Sequence, residues 1–299
     1  MKAKTTIAVA AAMVICGNAL AETGKIAGMG ASVVETYKVA SGDELRIYIY
    51  NPEGHHVGGS LPAIVFFFGG GWTSGSPSQF KQHAAYLASR GMVAMCADYR
   101  VKSRQGTTAF ECVADGKSAI RWVRENAHRL GVDPDRIAAG GGSAGGHVAA
   151  ASGIVPGLDE KGENLDISSR STALVLFNPV YDNGPEGGWG HDRVLERWRE
   201  ISPAHNIEKG CPPTIVFLGT GDKLIPVSTA ERFKAEMERA CSLSVLHLYE
   251  GQPHGFFNEG KGGREIFLDI IRKMDRFLVD LGYLEGEPTA AQIEAASGK

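Results

Sequence analysis

Apolar residues recur along the chain in two rhythms. Val33–Ala40 and Glu44–Tyr50 alternate apolar and polar positions, the period of half-buried strands, and Ser41-Gly42-Asp43 between them reads as a hairpin turn. Shorter, mostly unbroken apolar runs follow at Ala63–Phe68, Met92–Ala97, Arg136–Gly140, Ala173–Phe177, Thr214–Leu218 and Ser244–Tyr249. Strands buried on both faces of a parallel sheet have this pattern. Between them the rhythm lengthens to that of helices, at Phe80–Ser89, Phe110–Leu130, Ala144–Ser152, Val227–Ala240 and Arg264–Leu281. In the last of these Ile266, Phe267, Ile270, Ile271, Met274, Phe277, Leu278 and Leu281 line one face. Strands alternating with helices predict an α/β fold, a mostly parallel central sheet of about eight strands flanked by helices. Asn178–His205, rich in Gly, Pro and aromatics, breaks the rhythm and reads as a long excursion of the kind that carries function or moves. The polar stretch from about residue 284 is expected to be a frayed tail.

Composition narrows the class. With 43% hydrophobic and 22% charged residues among 299, the chain has the balance of a soluble globular protein. A net charge of −3 offers no basic field for nucleic acid. Lys2 and Lys4, the apolar run Ile7–Cys16 and the small-x-small order Ala19-Leu20-Ala21 have the layout of a secretory signal peptide. The expectation is cleavage after Ala21, a single catalytic domain over 22–299, and a secreted or periplasmic protein. No other run is long enough to span a bilayer. Export permits disulfides, and four cysteines remain: Cys96, Cys112, Cys211 and Cys241. Cys211 and Cys241 fall beside adjacent strand candidates and are placed to bridge; four buried free thiols are an equal alternative. Oligomeric state has no signature in the sequence.

The chemistry begins at Gly141-Gly142-Ser143-Ala144-Gly145, a G-x-S-x-G motif between a strand and a small-residue helix. That context is the nucleophile elbow, a turn so tight that its neighbours must be small. Asp222 follows the strand Thr214–Leu218 and His254 follows Ser244–Tyr249, giving the chain order Ser, Asp, His. Both lie beyond the carboxyl ends of buried strands, where open α/β sheets place their sites. His254 would take the Ser143 proton, and Asp222 would orient the imidazole and stabilise the imidazolium. Asp182, past the preceding strand, is the competing acid. Gly69-Gly70-Gly71 follows the strand Ala63–Phe68; the amides of Gly70, Gly71 and Ala144 are the expected oxyanion hole. Trp72, Trp189 and His191 are candidates to border the substrate cleft. Asp98-Tyr99-Arg100 reads as an ordering element near the site or as core, and His147 as packing. His55-His56 lack matching ligands, so no metal is expected, and acyl transfer of this kind calls for no cofactor.

Gly69–Trp72, Asp98–Arg100, Gly141–His147, Gly219–Asp222 and His254-Gly255-Phe256 together resemble the secreted carboxylesterases of the α/β-hydrolase superfamily, near the hormone-sensitive-lipase-like and bacterial feruloyl/acetyl esterase groups. The resemblance implies an α/β-hydrolase fold with a Ser143–Asp222–His254 triad. Two positions depart from the lipase-like pattern. Phe68 stands where that group has a histidine, so the hydrogen bonding that orders the glycine loop must come from elsewhere. Gly142 stands where it has an acidic residue. With about ten residues between the expected cleavage site and the first strand, no large cap domain is expected. The resemblance implies a small-molecule or carbohydrate ester as substrate: a short acyl group, acetyl foremost, on a carbohydrate such as xylan. Feruloyl or broad carboxylester substrates are the alternative, with an amidase, a peptidase or an inactive binding protein behind them.

Overall fold

The computed structural model describes residues 29–296; the expected signal peptide, 1–21, lies outside the described residues. Eight strands form one sheet: β1 (Val33–Ala40), β2 (Asp43–Tyr50), β3 (Leu61–Phe67), β4 (Val93–Ala97), β5 (Val132–Gly142), β6 (Leu174–Phe177), β7 (Thr214–Gly219) and β8 (Ser244–Tyr249). Their order is β1-β2-β4-β3-β5-β6-β7-β8. β1, β2 and β4 pair antiparallel, and every pair from β4 onward is parallel. This is the α/β-hydrolase arrangement expected from the sequence. The β1–β2 connection is tighter than expected: Ala40 pairs with Asp43, leaving Ser41 and Gly42 as a two-residue turn with φ of 55° and 88°. Positive φ at both positions matches the right-handed twist of the strands.

The helices are α1 (Lys81–Ser89), α2 (Lys102–Gln105), α3 (Ala109–Glu125), α4 (Ala144–Ile154), α5 (His191–Val194), α6 (Val227–Arg239), α7 (Arg264–Asp280) and α8 (Ala290–Ala295). The strand pleat sends alternate side chains to opposite layers. Ala63, Val65 and Phe67 of β3 join the core under α3, α4 and α6; Ile64 and Phe66 join the core under α1, α7 and α8. No helix among the described residues is long and apolar enough to cross a membrane.

Three expectations need correction. The region from 284 is not a frayed tail: Leu284, Ile293 and Ala296 are buried, and α8 opens with a reciprocal Thr289–Gln292 capping box. β8 is not buried on both faces; it is the sheet edge, with Val245, Leu246 and His247 half-buried and Leu248 exposed. Cys211 and Cys241 do not bridge; all four cysteines from Cys96 onward are free, with Cys241 exposed and the other three buried.

Candidate active site

β5 runs through the glycines to Gly142, and α4 begins at Ala144, so Ser143 is the entire turn. Its backbone sits at φ 54°, ψ −122°, a strained conformation for a side chain bearing Cβ. The turn can be this tight only because its neighbours are small. A Cβ on Gly145 would lie 2.1 Å from the Phe67 carbonyl oxygen. One on Gly142 would lie 2.2 Å from Phe257 Cζ. The second contact explains the departure at 142: the Phe257 ring occupies the space that a side chain would need. Ser143 is half-buried at the head of α4, whose every residue is buried.

The structure brings Asp222 and His254 together. His254 Nδ1 is 2.7 Å from Asp222 Oδ2, with the Asp222 side chain fully buried and His254 partly open. Burial works to raise the Asp222 carboxyl; hydrogen bonds from His254, the Leu224 amide and Asn178 outweigh it and hold the carboxyl below its ordinary value. The Leu224 and Ile225 amides donate to Oδ1 at 2.8 and 3.1 Å, and Asn178 Nδ2 donates to Oδ2 at 2.5 Å. Asn178 is a residue that sequence reasoning missed. It links Ser143 to Asp222: the Ser143 amide donates to Phe177 O, and the next side chain holds Asp222. Its φ of 42° is a backbone state that Asn tolerates better than most residues. Among the described residues Ser143 Oγ has no hydrogen-bond partner. Asp182, the competing acid, is engaged elsewhere, by Arg232 and the Gly184 amide.

The glycine loop is bound peptide by peptide. Tyr99 stacks on Phe68 at 4.1 Å between ring centroids and donates its hydroxyl to Phe68 O at 2.6 Å. Arg193 donates to Gly71 O at 2.6 Å, and the Lys102 amide donates to Trp72 O at 3.0 Å. Asp98-Tyr99-Arg100 thus serves both roles considered for it. Asp98 holds Arg104, Tyr99 orders the loop, and Arg100 pairs with buried Asp115. The amides of Gly70, Gly71 and Ala144, the expected oxyanion donors, have no acceptor among the described residues, which leaves them available to a ligand.

The excursion after β6 is ordered, with α5 and two 3-10 turns, and it packs over the glycine loop. Trp189 lies 5.2 Å from Trp72 between ring centroids, and Arg193 stacks on Trp189. Trp72 is only 2% exposed, pressed between Trp189 and His147, so it offers little ring surface to a sugar. His191 Nδ1 meets Asn183 O at 3.0 Å, and Asn183 Nδ2 donates to Trp189 O. Buried Asn183, also unforeseen, is the hub that shapes this segment. His147 is buried and bound to Ile201 O at 2.9 Å, a packing role as expected. His55 and His56 bond to backbone carbonyls of Leu130 and Val57. Beside the loop opens a cavity of about 740 Å³, walled by Thr73, Lys102, Ser103, Thr107 and Arg193.

Comparison with known proteins finds esterases of the same fold. The BD-FAE family model matches residues 47–182. An AB hydrolase superfamily protein of Schizosaccharomyces pombe is 36% identical over 73% of this chain and 69% of its own length. Esterase LipC of Mycobacterium tuberculosis is 32% identical over 65% of this chain and 53% of its own. A probable isoprenylcysteine α-carbonyl methylesterase of Arabidopsis thaliana is 29% identical over 76% and 52%. The chain spans about half the length of several such curated relatives. Among solved structures, the apo form of Thermogutta terrifontis esterase 2 is 45% identical over 87% of this chain and 98% of its own, with a TM-score of 0.84. With relatives of this identity and coverage, the chain belongs to the carboxylesterases of the α/β-hydrolase superfamily.

Proposed function

We propose that the protein is a serine esterase that hydrolyses short-chain acyl esters, acetyl foremost, carried on a carbohydrate such as xylan. The observation that carries the reading is the 2.7 Å His254–Asp222 pair, tied through Asn178 and Phe177 to the strained Ser143 elbow. His254 Nε2 takes the Ser143 proton as Oγ attacks the ester carbonyl. The new C–O bond pushes an electron pair onto the carbonyl oxygen, and the amides of Gly70, Gly71 and Ala144 receive that oxyanion. Collapse expels the alcohol, which takes the proton from His254 and leaves an acyl-Ser143. Water, deprotonated by His254, then attacks the acyl carbon and releases the acid.

Two observations favour short acyl groups and a polar alcohol. Thermogutta terrifontis esterase 2 has been seen with propionate and with butyrate bound. The cavity beside the glycine loop sets hydroxyl-bearing and charged side chains, Thr73, Ser103, Lys102, Asp192 and Arg193, beside the Trp72 ring, a mixed lining that suits a hydroxyl-rich alcohol. The relatives' own names favour a second reading, a broad carboxylesterase. Export to the periplasm or medium belongs to the proposal on the strength of the first 21 residues.

A fluorophosphonate probe should label the wild type and not Ser143→Ala, and the alanine variant should lose at least about 10⁴-fold in kcat while staying folded. A tenth of wild-type activity remaining would overturn the nucleophile assignment. With aryl esters, kcat/KM for acetate should exceed that for octanoate; each methylene that found apolar contact would add up to about 0.8 kcal/mol, so a maximum at octanoate would reveal a long acyl groove. Release of acetate from acetylated xylan, against ferulate from feruloylated arabinoxylan, separates the carbohydrate readings.

A further inference from the structure

Phe68 cannot supply the hydrogen bond that a histidine would make at the head of the glycine loop, and the structure shows what replaces it. Gln79 Oε1 accepts the Gly69 amide at 2.6 Å. The carboxamide orientation is settled by chemistry, because an N–H can meet only the oxygen end. The Gly69 N–H and the Phe68 C=O belong to one peptide plane, and Tyr99 holds the other end of it at 2.6 Å. That plane is therefore gripped on both edges immediately before the two residues whose amides stand free. It also lies against the nucleophile: a Cβ on Gly69 would fall 3.2 Å from Ser143 Cβ and 3.6 Å from Gln79 Oε1.

Gln79 is itself held. It sits in the 3-10 turn Pro77–Phe80, which starts at the Ser76 cap with proline at its first position. On its far side Phe80 is buried, stacked on Phe66 at 5.0 Å and Phe257 at 5.7 Å. The side chain thus reaches the loop from a turn anchored in the core by Phe80.

We propose that Gln79 is a positioning residue for the oxyanion hole: by fixing the Phe68–Gly69 peptide from the side opposite Tyr99, it aims the Gly70 and Gly71 amides at the developing charge. This rests on the reading of Ser143 as nucleophile. A group acting through the hole stabilises the transition state and leaves ground-state binding nearly unchanged.

The test is Gln79→Leu, which keeps bulk and removes the acceptor, with Gln79→Ala as the second variant. On 4-nitrophenyl acetate, kcat should fall about 10- to 100-fold with KM within about twofold, less than the loss of a hole donor itself. The Ki of a trifluoromethyl ketone, whose tetrahedral adduct carries the oxyanion, should rise by the same factor, with the melting temperature little changed. Tyr99→Phe should give the same pattern, and the double variant Gln79→Leu/Tyr99→Phe should lose less than the product of the single losses, because both hold one peptide. A kcat within twofold of wild type, a loss confined to KM, or an unchanged Ki would each overturn the inference. If the wild type is active and Ser143→Ala is dead while Gln79→Leu matches the wild type, the inference fails and the esterase reading stands.

Discussion

At the scale of single residues, the proposed triad and the glycine loop depend on two carboxamides, Asn178 on Asp222 and Gln79 on the Gly69 amide. Ser143, Asp222 and His254 announce themselves because each follows a strand within a glycine-containing turn. Asn178 and Gln79 gave no such signal. Their partners are Asp222, 44 positions away, and the Gly69 amide, 10 positions away, and each contact exists only once the sheet has assembled. Asn178 makes a testable case. Alanine there would confound the lost donor with the strain of φ 42°, whereas glycine adopts that conformation freely. Asn178→Gly should lower kcat about tenfold, the scale of one hydrogen bond to a charged acceptor. Asp222→Asn should cost more, toward 10⁴-fold, because it also changes the histidine tautomer that the acid selects. If Asn178→Gly matched the wild type, the amide would be a bystander to the acid. Single-turnover acylation, read as the burst of nitrophenol, is the measurement that ranks the two.

At the scale of elements, the strands were legible for a physical reason: burial on both faces forces apolar residues at consecutive positions, over runs too short for a buried helix. The same logic misled at β8, where the run is apolar but one flank of the strand has no neighbour. It missed α8 altogether. That helix is only six residues long, most of its surface is wet, and its burial rests on Ile293. What fixes it is polar and nonlocal: Gln292 Nε2 donates to Ser89 O at 2.5 Å, and Arg90, paired with buried Asp275, reaches Gly286 O at 2.6 Å. Ile293→Ala should therefore destabilise the fold by about 2 kcal/mol, the low end for a buried isoleucine because α8 lies at the rim. Urea unfolding would show the shift in midpoint. Because α8 packs on α1 and α7, away from the triad, kcat and KM on a short ester should not change. An unaltered midpoint would mean that the segment contributes nothing to the fold.

At the scale of the whole molecule, the same packing that builds the core makes it vulnerable to acid. His83 is buried among Phe66, Phe80, Phe177 and Phe267, and neither ring nitrogen has a partner among the described residues. Burial pushes its pKa down from 6.5 to about 3. His147 is lowered to about 4 by burial, against a smaller opposing pull from the Ile201 carbonyl. The sign follows from proton counts. Below pH 6.5 the unfolded chain protonates both rings while the folded chain keeps them neutral, so the unfolded state binds more protons and stability falls as the pH is lowered. The loss accumulates from about pH 6.5 and is complete only below the folded values of about 4 and about 3. Asp222 acts in the same direction at lower pH, since its depressed carboxyl contributes stability that is lost on protonation. His83 is the residue on which to test this, because it lies among aromatic rings and phenylalanine has nearly its shape. His83→Phe should leave the melting temperature at pH 8 within a few degrees of wild type. It should also clearly reduce the drop between pH 7 and pH 4.5. An unchanged drop in the variant, measured by calorimetry in the same buffers, would mean that His83 does not contribute to acid lability and that the loss arises elsewhere.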